Sequence, residues 1–106
     1  MNAHILIADD QPEVLDMLSR SLQTDGRTVH PFSSGGEAFD YLRAHRSEVD
    51  LAILDRDFGS GEPDGLEILK RMRAEVPDLP VIILTGKGTV ETAVAALRLG
   101  ATDFIE

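Results

Sequence analysis

The chain has no cysteine. That excludes a disulfide scaffold, a thiolate nucleophile and a cysteine-ligated zinc site, and it agrees with a reducing, cytoplasmic setting. Basic residues are scarce: 10 Lys and Arg stand against 19 Asp and Glu, a formal net charge of -9. A surface of that sign repels phosphate backbones and anionic lipid, so no direct nucleic-acid or membrane binding is expected of this segment. It favours cations and basic partner surfaces instead. Long apolar runs are missing as well. No stretch approaches the length of a bilayer span. The opening run, His4 to Ala8, is too short for a secretory signal, lacks a basic flank and runs straight into two aspartates.

What is present is ordinary globular material. At 106 residues with 42% apolar content, the chain fits one compact domain that buries roughly two-thirds of its unfolded surface. Short runs rich in β-branched residues alternate with longer periodic ones. Ile5 to Ala8, Arg27 to Phe32, Leu51 to Leu54, Val81 to Leu84 and Thr102 to Ile105 read as five strands. The third and fourth are continuously apolar, as expected of parallel strands covered on both faces.

Helical periodicity fills the intervals. Val14, Leu15, Leu18 and Leu22 share one face of a first helix, capped by Asp10 or Gln11, with Pro12 in its first turn and Gly26 stopping it. A second, entered through Ser33-Ser34, carries Ala38, Phe39 and Leu42. A third carries Leu66, Leu69 and Met72, with Asp64 as cap and Pro77 at its end. A fourth carries Val90, Val94 and Leu97 between Thr89 and Gly100. The alternation predicts an open, doubly wound α/β domain.

The charged residues gather meaning from this layout. Asp9 and Asp10 close the first strand and Asp55 the third, so adjacent parallel strands would bring three carboxylates to one sheet edge. Like charges that close repel unless a cation or proton intervenes. Thr85 also ends a strand, and ligands of such folds bind beyond the carboxyl ends of the strands. The longest loop, Arg56 to Pro63, begins directly after Asp55. Taken singly, Asp9-Asp10 reads as a helix cap, Asp55 as a strand-end turn former and Thr85 as a strand-end residue. Together they point to a divalent metal and to chemistry on one aspartate. His4, His30 and His45 show no metal spacing and read as surface or strand-edge residues.

In this order the segments resemble the receiver domain of bacterial two-component response regulators over essentially the whole chain. The matching pieces are Ile5-Leu6-Ile7-Ala8-Asp9-Asp10, Leu54-Asp55 with Asp64-Gly65, Val81-Ile82-Ile83-Leu84-Thr85-Gly86, Ala93 through Gly100-Ala101, and Asp103-Phe104-Ile105. The resemblance implies a five-stranded flavodoxin-like sheet of order 2-1-3-4-5, an order shared by a receiver protein among the standard examples of that fold. It implies Asp55 as phosphoacceptor, Asp10 as a direct Mg2+ ligand, Asp9 as a direct or water-mediated one, and Asp57 supplying a ligand through its carbonyl. Thr85 would donate its hydroxyl to the phosphoryl group, and Phe104 would change rotamer with it, although an aromatic there also reads simply as core.

The implied partners are a sensor histidine kinase or a histidine phosphotransfer protein, with a homodimer as a further arrangement. The implied activity is that of a signalling receiver, not an enzyme, that assists its own phosphorylation and dephosphorylation. Three departures accompany the resemblance. The family's lysine and last helix would follow Glu106, so residues 1–106 read as a receiver domain truncated before both, without its output domain. The uncovered sheet face is then expected to expose apolar surface. Lys87, two residues beyond Thr85, is a candidate substitute for the missing lysine, or a plain surface charge. The loop after Asp55 is about two residues longer than usual, a change of little thermodynamic weight. Two other readings stand beside this one: a haloacid-dehalogenase-like phosphatase, from Asp55-Arg56-Asp57, and a degenerate receiver used only for docking.

Overall fold

A computed structural model of the chain describes residues 3–23, 26–55 and 64–84, together with the backbone of 103–105. The elements run β1 (Ala3–Ala8), α1 (Pro12–Leu22), β2 (Arg27–Phe32), α2 (Gly35–Ala44), β3 (Leu51–Asp55), α3 (Gly65–Glu75), β4 (Val81–Leu84) and β5 (Asp103–Ile105). They form one parallel sheet in the order β2-β1-β3-β4-β5. The expected fold class and strand order are both observed. The expected fourth helix and the loop from Arg56 to Pro63 fall outside the described residues.

Side-chain alternation divides the sheet into two packed faces. Leu6, Ala8, Ala52, Leu54, Val81 and Ile83 point to one side, where Ala38 and Leu42 of α2 and Ile68, Leu69 and Met72 of α3 join them in one buried cluster. Burying each of the larger side chains fully contributes about 1.5–3 kcal/mol. Ile5, Ile7, Val29 and Ile53 point the other way, beneath Leu15, Leu18 and Leu22 of α1. These three leucines stay only partly buried, as do Leu51, Ile82 and Leu84 on the same side, and α1 contains no fully buried residue. The only large hydrophobic residue that is exposed among those described is Met17, at 56%.

Local chemistry explains where the helices begin. Ser34 and Asp64 cap α2 and α3, their side chains accepting the Glu37 and Glu67 N–H groups at 3.1 and 3.0 Å. Each satisfies a donor that the first helical turn leaves unpaired. α1 differs: its N-cap is Gln11, which makes no side-chain capping bond, and Pro12 opens the helix. Its end also differs from the expected stop at Gly26. The helix finishes at Leu22, and Gln23 serves as its cap. Gly26, with φ 83°, sits immediately before β2, where a left-handed backbone suits a residue without a side chain.

Candidate functional site

The site is set by strand register. Leu54 of β3 pairs with Ala8 of β1, so the sheet delivers Asp9 and Asp55 as neighbours at its carboxyl edge. The Asp9 N–H donates to the Phe32 carbonyl at 3.1 Å, which carries the β1–β2 ladder one residue past Ala8. The Asp9 carboxylate turns back to accept the Gln11 N–H at 2.9 Å. It is thus the local support that the Gln11 side chain does not provide at the start of α1.

Asp9, Asp10 and Asp55 each place a carboxylate oxygen within 4.8 Å of the others. Their surroundings are unequal. Asp9 is buried, only 5% exposed, whereas Asp10 is exposed and Asp55 half-buried. Burial raises the Asp9 pKa above its ordinary value, the neighbouring Asp10 charge raises it further, and the Gln11 hydrogen bond pulls the other way. Desolvation and a like charge both disfavour a second anion in this pocket. A divalent cation relieves both. Three carboxylates are the hard oxygen donors that Mg2+ and Ca2+ take, without the nitrogen or sulfur that would favour zinc.

Of the other residues singled out in the sequence, Thr85, Asp57 and Lys87 lie outside the described residues. Leu84, the residue before Thr85, is the register partner of Asp55. Phe104 is described through its backbone alone, on β5 opposite Ile83. That the Gln11 backbone N–H donates to Asp9 was not readable from the residues, because a backbone N–H leaves no trace in residue type.

Residues 5–106 match the response regulator receiver domain family. The chain is 36% identical over 102 residues to the nitrogen assimilation regulatory protein NtrX of Azorhizobium caulinodans, covering 96% of this chain and 22% of that protein. It therefore spans less than a quarter of that regulator's length. Among solved structures, a response regulator receiver domain protein from Clostridium thermocellum superposes with a TM-score of 0.88 at 30% identity, covering 97% of this chain and 80% of the other. A response regulator from Burkholderia pseudomallei, solved with a phosphorylated aspartic acid, a calcium ion and citrate, gives 0.87 at 25% identity, covering 98% and 59%. Among the described residues no helix is long and apolar enough to cross a membrane.

Proposed function

The chain belongs to the response regulator receiver domain family, and from that premise we propose that Asp55 is its phosphoacceptor and that Asp9, Asp10 and Asp55 together hold Mg2+. The carboxylate cluster is the observation that carries this reading. When bound, the ion supplies charge neutralisation for an incoming dianionic phosphoryl group.

The remaining chemistry belongs to the chain. An Asp55 carboxylate oxygen forms a bond to phosphorus as the donor's phosphorus–nitrogen bond breaks, and the departing imidazole nitrogen keeps the electron pair and takes up a proton. Asp9, fixed by the Gln11 N–H and tied to β2 through Phe32, keeps its oxygens directed at the cluster. Thr85 donates its hydroxyl to the phosphoryl oxygens, Asp57 adds a carbonyl ligand, and Lys87 lends positive charge nearby. Thr85 and Phe104 then pass the change to a binding surface. Such a two-state element responds only by the free-energy difference that phosphate makes between its states.

The donor is a sensor histidine kinase or a histidine phosphotransfer protein in the cytoplasm, and the switched surface serves another domain or a second copy. The NtrX relationship, in which this chain matches under a quarter of the regulator, supports residues 1–106 acting as the receiver module of a longer protein. Incubation with acetyl phosphate and Mg2+, followed by peptide mass mapping, tests the assignment. Phosphoryl mass on the peptide containing Asp55, absent in Asp55→Asn, is expected. Equal labelling of the variant would refute it, and no labelling of a chain extended beyond Glu106 would favour the docking-only reading.

A further inference from the structure

Three imidazoles outside the carboxylate site form a connected stack. His4 of β1 and His30 of β2 bring Nδ1 and Nε2 to 3.0 Å. The His30 ring lies on Tyr41 of α2, centroids 4.9 Å apart, and Tyr41 lies on His45 at 4.0 Å. Strand register explains the meeting. Leu6 is the partner of His30 and packs toward α2, so His4, two residues before it, shares that face.

We propose that the His4–His30 pair is a proton-sensitive latch that fastens the edge strand β2 to β1 and α2. A nitrogen–nitrogen hydrogen bond needs one N–H and one lone pair. The neutral pair satisfies that, and so does a singly protonated pair, in which the imidazolium donates to its neutral neighbour. A second proton removes the acceptor and leaves two cations face to face at hydrogen-bond distance, and the latch opens.

The groups around His30 define the balance. His4 faces it from β1, Tyr41 from α2, His45 from the cap that ends α2, and Glu48 acts from the segment between α2 and β3. Burial, then the charges of His4 and His45, push the His30 pKa below its ordinary value of 6.5, while Glu48 opposes them. A depressed folded-state pKa gives stability that is present above 6.5 and is lost as pH falls through the folded value. His4 is itself anchored at its backbone, where its N–H donates to the Asp50 carboxylate and its carbonyl accepts the Asp50 N–H, both at 2.8 Å. Opening the pair therefore frees β2 and α2 more than β1. Because Phe32 of β2 accepts the Asp9 N–H, loosening of β2 reaches the acidic pocket.

The test is nitrogen-15 imidazole spectroscopy together with denaturant unfolding of the chain between pH 7.5 and 5.5, repeated on His30→Phe, which retains an aromatic ring against Tyr41. The latch requires the His30 ring to titrate below its ordinary value of 6.5. It also requires the unfolding constant of the wild type to rise relative to the variant as pH falls, by up to about tenfold per unit of displacement. The comparison cancels the contribution of Asp9, whose sign is opposite. Titration of His30 at its ordinary value, or the same pH slope in wild type and variant, overturns the proposal. If His30→Phe does not fold, the wild-type spectra decide the matter by themselves.

Discussion

Ala8 and Leu54 are register partners on the parallel strands β1 and β3, so the residues that follow them, Asp9 and Asp55, stand side by side at the carboxyl edge of the sheet. Folding itself gains nothing from that adjacency, and Asp9 is paid for in desolvation. The arrangement makes sense once a cation joins it.

Without metal, Asp9→Asn is expected to stabilise the chain. The raised Asp9 pKa means that the stability tied to its protonated form is fully present below 3.8 and is lost as pH rises through the folded value. At pH 7 the ionised group is a cost, which the neutral amide removes. Thermal melts should show the variant a few degrees above wild type in chelator. Excess Mg2+ should raise the wild type and leave the variant nearly unmoved. A variant melting below wild type in chelator would contradict this.

The unequal faces of the sheet set unequal mutational costs. Leu69→Ala, in the fully buried cluster beneath α2 and α3, is expected to lose about 2–5 kcal/mol by urea unfolding. Leu18→Ala, on the half-covered α1 face, should lose clearly less. Met17→Gln, at an exposed position, should stay within about 0.5 kcal/mol of wild type. A Leu18→Ala cost equal to that of Leu69→Ala would mean that α1 is packed as tightly as the other helices.

Much of this organisation was legible in the sequence, for specific reasons. β-branched runs such as Val81 to Leu84 announce buried strands, and Asp64 before a periodic segment announces a helix start. The acidic pocket was legible on one condition, that the first and third apolar runs are neighbouring parallel strands, whose carboxyl ends then bring Asp9, Asp10 and Asp55 together. The strand order was not, since nothing in the residues says that β1 lies between β2 and β3; that came from family resemblance. Nor was the split between a buried Asp9 and an exposed Asp10, which depends on how Asp9 turns back to the Gln11 N–H. The histidine stack was hidden for a similar reason. His4 and His30 meet only through the β1–β2 register, and their spacing along the chain carries no periodic signal.

Caps and surface ion pairs give a further contrast. Ser34→Ala and Asp64→Ala each remove a side-chain acceptor from a first-turn N–H and should cost about 0.5–2 kcal/mol. Glu75 joins the C-terminal end of α3 to Arg43 and Arg46 at 3.6 and 3.2 Å, but both arginines are largely exposed. Glu75→Gln should therefore cost less than about 1 kcal/mol, and the difference should shrink in high salt. Chemical denaturation at two ionic strengths separates the two classes. A large, salt-independent loss at Glu75 would show that the bridge is more than a surface pairing.

Magnesium titration followed residue by residue in amide spectra tests the central claim most directly. The three-carboxylate pocket predicts saturable shifts centred on Asp9 to Gln11 and Asp55, abolished or greatly weakened in Asp10→Asn and in Asp55→Asn. Shifts scattered over the acidic surface, or a titration unchanged by both substitutions, would contradict it.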